Sequence, residues 1–203
     1  MAVGDQAGPK LGDEEPPGSY WVYPDLYGEA EALNSMGTIA APLLAGFSLA
    51  AMVQTLAITA TEARWPDVAL LLFMLAAVLF VTTVQAMFWA RGYQTTPKEM
   101  KDWWPDAEEH ERLKQLRRDQ KRHAVGFRMW SSRARVTYSA AVLSLLAALT
   151  ILAVPPESYA QAPFWRWLAV AVGSAAFIFE AGWTAGSFTG LKWLKRLLQP
   201  PSE

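Results

Sequence analysis

Residues 32–61 read ALNSMGTIAAPLLAGFSLAAMVQTLAITAT, and no charged side chain lies between Glu31 and Glu62. A bilayer core needs about 20 residues of helix at about 1.5 Å rise each. This stretch is therefore a first transmembrane helix, with length to spare. Its middle is built from Ala, Gly and Ser, which let helices approach closely. One large polar side chain, Gln54, stands near its outer end. A lipid-facing helix has no use for a carboxamide there, whereas a helix packed against copies of itself around an axis does.

Working outward, three further apolar runs follow. Residues 68–90, between Asp67 and Arg91, carry no charge, and the link from the first helix, TEARWPD, is short, so the first two helices form an antiparallel hairpin. A third run lies between Arg135 and Glu157 and ends at Pro155 and Pro156. A fourth runs from near Trp165 to near Lys192, interrupted once by Glu180. The predicted fold is all-α: an integral membrane protein of four transmembrane helices, assembled as a homo-oligomeric ring. Residues 1–19 read as a disordered tail. Residues 20–31, with Tyr20, Trp21, Tyr23 and Tyr27, read as an interfacial segment that lies in the headgroup layer or docks on a neighbouring chain. The membrane domain spans 32–191, and 192–203 is a short basic tail.

Between the second and third spans lies the one large polar segment, 92–134. Thr96-Pro97-Lys98-Glu99 has the pattern of a capping box with proline at the first helical position. A second helix is predicted from Pro105, with acids in its first turn and bases later, running on towards the third span. The segment holds ten Lys or Arg, which places it in the cytoplasm by the positive-inside rule. Four spans then put both termini in the cytoplasm, and the expected location is the plasma (inner) membrane. Trp65, Trp165 and Trp167 fall at the outer interface, and Trp89, Trp130 and Trp193 at the inner one, as aromatic belts require. The first 31 residues carry seven acids and one base, so the net charge of −1 hides a strong asymmetry. A basic run beside a membrane is a topology signal, so no nucleic-acid partner is expected. No signal peptide is visible, and the first helix is expected to act as an uncleaved insertion signal.

Enzyme chemistry finds no support. His110 and His123 are the only histidines, cysteine is absent, and no metal-ligand spacing, phosphate loop or nucleophile elbow occurs. No cofactor is expected. Glu180 is the only ionisable residue inside a span, which reads either as a functional carboxylate or as a clip between two helices. Gly182, Gly186 and Gly190 form a small-residue row suited to helix packing, and Gly46 belongs to a similar row on the first helix. A second face of that helix reads Leu43, Phe47, Ala50 and Gln54, at steps of three and four. In a monomeric four-helix bundle this face is core, and in a ring of subunits it lines a pore. Periodicity alone favours core.

The string Leu43-Leu44-Ala45-Gly46-Phe47-Ser48-Leu49-Ala50-Ala51-Met52-Val53-Gln54 resembles the pore helix of the Orai family of store-operated calcium channels. That family has four spans, cytoplasmic termini and a cytoplasmic loop between spans two and three. Its first helices, from six subunits, surround the pore. The resemblance implies a selectivity position at Gln54, a gate region at Phe47 and Ala50, and a deeper lining residue at Leu43. It also brings Gln85 near a polar position of the second helix. The sequence departs from the family in several places. Gln54 replaces the family's glutamate, and a neutral carboxamide ring lacks the charge that concentrates calcium. Asn34, Ser35 and Ile39 stand where the family's pore end is basic. Only LKWLKRLLQPPSE follows the last span, in place of a long C-terminal helix.

The sequence thus predicts a homo-oligomeric ion channel with an apolar gate in the first helix and a glutamine ring at its outer mouth. The competing expectation is a non-conducting four-span scaffold or effector subunit that docks a cytoplasmic protein partner through its basic loop.

Overall fold

The computed structural model describes residues 28–58, 62–104, 110–157 and 163–189. The expected tails at 1–19 and 192–203, and most of the expected interfacial segment, lie outside the described residues. Six α-helices and one π-helical turn make up the described secondary structure, with no strand among the described residues: α1 (Glu29–Ser35), α2 (Ala41–Thr55), α3 (Pro66–Gly92), α4 (Pro97–Trp103), α5 (His110–Ala153) and α6 (Phe164–Thr189). A π-helical turn, Met36–Ala40, joins α1 to α2 without a break, so the first span runs from Glu29 to Thr55. It begins at Gly28, whose φ of 90° needs no Cβ. Glu29, Ala30 and Glu31, at the end of the expected interfacial segment, are continuous with the first apolar helix. Four helices are long and apolar enough to cross a membrane, as expected.

The π-helical turn has a local cause. Pro42 has no N–H, and its ring collides with the carbonyl four residues back in a regular α-helix. The chain widens by one residue just before it, and the Ala41 N–H reaches back to the Met36 carbonyl. The Thr38 hydroxyl takes up a neighbouring carbonyl, donating to Asn34 O at 2.5 Å.

Packing follows a seven-residue rhythm in three helices. On α3 the buried positions include Ala69, Phe73, Ala76, Phe80, Thr83, Met87 and Ala90, alternating steps of four and three, with Ala77 and Ala86 beside them. On α2 they are Ala41, Ala45, Ser48 and Thr55, and on α5 they include Ala134, Ala141, Leu145 and Ala148. A strict repeat of this kind keeps one seam facing a partner helix at a shallow crossing angle. Large and small residues alternate along it. Phe73 and Phe80, both fully buried, fill the space left by the alanines of α2 and α5. In lipid this close fit, rather than release of water, holds helices together. Thr83 and Thr137 share a hydroxyl hydrogen bond of 2.9 Å across the α3–α5 contact. Phe80 meets Tyr138 edge-on at 5.7 Å.

The helices do not close into a ring-shaped bundle. α3 packs on α5 and on α2, and α6 packs mainly on α5, so the order across the chain is α2, α3, α5, α6. Ion pairs and hydrogen bonds pin both ends. At one end Arg64 pairs with Glu157 at 2.5 Å, and Arg166 donates to Glu62 O at 2.9 Å. At the other, Arg91 donates to Asn34 Oδ1 at 2.8 Å, and Arg135 pairs with Glu29.

Beyond that second end the predicted polar helices form. Glu99 accepts from the Thr96 N–H at 2.8 Å and the Thr96 hydroxyl at 2.9 Å, while the Glu99 N–H returns to Thr96 Oγ1 at 3.2 Å. This is the capping box, and its paired hydrogen bonds hold the fully exposed Glu99 carboxyl below its ordinary pKa. α4 rests on α5 through Met100 and Leu116. α5 is one helix of 44 residues, about 66 Å at the helical rise, so the polar arm and the third span are continuous.

Candidate functional site

The first span has two unlike faces. Ala41, Ala45, Ser48 and Thr55 are buried against α3, and the Ser48 and Thr55 hydroxyls each close on the carbonyl four residues back, at 2.7 Å. Their polarity is thus absorbed within the helix. The opposite face carries Leu43, Gly46, Phe47, Ala50 and Gln54, and all five are exposed. Leu43 is 68% exposed and Phe47 53%. A Cβ built on Gly46 would meet nothing within 4 Å. The expectation that this face is core within one chain is overturned. The core seam uses the other side of the helix, where small residues meet Phe73 and Phe80.

The remaining polar positions divide by direction. Gln85 is exposed, on the side of α3 turned away from its buried seam. Glu180 is half-buried, within electrostatic range of the Tyr138 phenol on α5. On the same side of α6, Gly173 meets Thr150 so closely that a Cβ would stand 2.5 Å from its hydroxyl. The α5–α6 approach therefore runs through Gly173. Gly182 has nothing within 4 Å of an added Cβ, Gly186 is buried, and Gly190 lies outside the described residues. Between α5 and α6 an open apolar crevice of about 280 Å³ is lined by Ala147, Thr150, Ile151, Ser174, Phe177 and Ile178.

Sequence reasoning missed the anchoring of the first span. Gly37, in the π-helical turn, is pressed onto Met87 of α3, and an added Cβ would stand 2.6 Å from Met87 Cγ. Asn34 and Glu29, one and two turns nearer the N-terminus, are held by Arg91 and Arg135. The signal was present in the unusual Asn34 and Gly37, but their partners lie 50 residues or more away along the chain.

Among the described residues no group of three His, Cys, Asp or Glu residues that could hold a metal occurs. His123 is accounted for structurally, with Nδ1 at 3.0 Å from Thr95 Oγ1 and its ring edge-on to Tyr93. What the arrangement offers is a surface: one helix, anchored firmly on one side and presenting a mixed apolar and carboxamide face on the other. Comparison of the chain with protein-family models, with curated proteins and with solved structures found no match in any of the three.

Proposed function

We propose that this protein is the subunit of a homo-oligomeric membrane ion channel in which copies of the first span surround a central pathway, with Leu43, Phe47, Ala50 and Gln54 turned towards the axis. The observation that carries the reading is the exposure of that face on a helix whose other side is fully engaged. That face also carries the exposed carboxamide of Gln54, which contact with lipid alone leaves without a partner. The open order of helices, with α2 at one edge, leaves room for another copy to approach. Gly46 and Ala50 permit the approach to be close.

In this arrangement Leu43, Phe47 and Ala50 form an apolar constriction that opens by wetting and closes by dewetting. Gln54 sets a ring of carboxamides at the outer mouth, which orients and partly dehydrates an ion without attracting it by net charge. Both termini and the α4–α5 arm lie in the cytoplasm of a plasma-membrane protein, following the distribution of Lys and Arg.

The test is ion flux into vesicles containing the purified protein, comparing the parent with Phe47→Gly. The expected result is a flux in Phe47→Gly well above that of protein-free vesicles. If neither protein passes ions, the pore reading fails and the non-conducting scaffold stands. Cysteine substitution along positions 43–54, in a chain with no native cysteine, gives a second readout. Water-soluble reagents should reach 43, 47, 50 and 54 and not 45 or 48.

A further inference from the structure

The α5 arm has a second face that no other described helix covers, on which Arg122 pairs with Asp119 of the same helix at 3.8 Å. Its inner side, with Leu116, Gln120, Ser131 and Ala134, is buried. The opposite side presents Arg118, Arg122, Val125 and Met129, all exposed and spaced at steps of four and three, so they form one stripe. Val125 is 67% and Met129 45% exposed. Two apolar side chains beside two arginines, on a polar arm outside the third apolar run, make a surface for a ligand that is itself acidic and apolar.

The chain contains such a ligand. Residues 13–27 read DEEPPGSYWVYPDLY, with three acids in succession and then Tyr20, Trp21, Tyr23 and Tyr27. Lys10 is the only base in the first 27 residues, so nothing in the segment itself neutralises those acids. Its exit point is fixed, because Glu29 pairs with Arg135 at the root of the arm. The reach suffices as well. Residues 13–28 extend up to about 50 Å, while Arg118 lies about 26 Å along the helix from Arg135.

We propose that residues 13–27 dock along the Arg118, Arg122, Val125 and Met129 stripe of their own chain. Asp13, Glu14 and Glu15 lie at the two arginines, and the aromatic residues cover Val125 and Met129. Apolar contact supplies most of the attachment, with a thioether–aromatic contact at Met129. The acidic run sets the direction in which the segment lies. This is independent of whether the protein conducts.

The test uses the full-length protein in vesicles, in its cysteine-free background. Trp21→Cys is paired with Met129→Cys, and in a control with Asp102→Cys, an exposed position on α4 across the arm. Under mild oxidation the first pair should form an intrachain disulfide at least about fivefold faster than the control. Replacing Asp13, Glu14 and Glu15 by their amides should slow it by about fivefold, the scale of a few weak surface ion pairs. Equal rates for the two pairs would overturn the proposal. So would a ladder of linked dimers, which would place the segment on a neighbouring copy. Quenching of a fluorophore at Met129→Cys by lipid-borne nitroxide would overturn it too, since the stripe would then lie on the membrane.

Discussion

Replacing Gly37 by alanine adds one methyl group where the first span lies close against α3. The new Cβ would stand 2.6 Å from Met87 Cγ and 2.7 Å from Met87 Cβ. A rotamer change moves Cγ but leaves Cβ where the α3 backbone puts it, so the two helices must part by several tenths of an ångström. Both residues are buried, and Arg91–Asn34 and Arg135–Glu29 hold the segment down beside them. Overpacking of this kind costs about 1–3 kcal/mol. Alanine gives back about 1 kcal/mol as a better helix former, less in a π-helical turn. The expected net loss is therefore about 1–2 kcal/mol. Met87→Gly removes both clashing atoms at its own cost, and in that background Gly37→Ala should be neutral or stabilising. The cycle should report a coupling of about 1–2 kcal/mol. Reversible unfolding in mixed micelles, titrated with a denaturing detergent, measures all four proteins. Equal stability of Gly37→Ala and parent would refute the reasoning, as would an equal loss in both backgrounds.

Phe80→Ala empties a fully buried site and loses the edge-on contact with Tyr138, and should cost about 3 kcal/mol in the same unfolding assay. Phe80→Leu should cost about 1 kcal/mol, because it keeps most of the volume. The capping box should be sensitive to acid. Because the Glu99 carboxyl titrates below its ordinary value in the folded chain, its contribution is present above the ordinary carboxylate range and is lost as pH falls through the lowered value. Amide exchange at Thr96, corrected for its intrinsic pH dependence, should accelerate over that window in the parent and not in Glu99→Gln.

The spans, the capping box and the continuity of the polar arm with the third span were legible because each depends on neighbours in sequence. A run of uncharged residues reports its own solvent, and Thr96 and Glu99 are three residues apart. The direction of a helix face depends on partners elsewhere in the chain. Leu43, Phe47, Ala50 and Gln54 look like a core stripe when apolarity is the only guide, since in lipid both sides of a helix are apolar. Size was the better guide. Ala41, Ala45 and Ser48 recur at steps of four and three against Phe73 and Phe80, themselves seven apart. The glycine row at Gly182 names no partner by itself, and the α5 side chain that meets α6 does so at Gly173, outside that row.

The outward polar residues carry the last step. Glu180, Gln54 and Gln85 are large polar side chains on the apolar helices, Gln54 one residue from the end of α2, and they are not treated alike. Glu180 is drawn towards α5 and half-buried. Gln54 and Gln85 point out of the protomer, from the two adjacent helices α2 and α3. Gln85 lies seven residues inside the end of α3, about 10 Å deep, where a carboxamide in hydrocarbon goes unsatisfied. At the other edge of the row, α6 turns Val172, Ile178 and Phe179 outward, as a lipid-facing helix does. In the assembly proposed above, a second copy against α2 and α3 would give the two carboxamides hydrogen-bonding partners and leave α6 as the face that meets the bilayer.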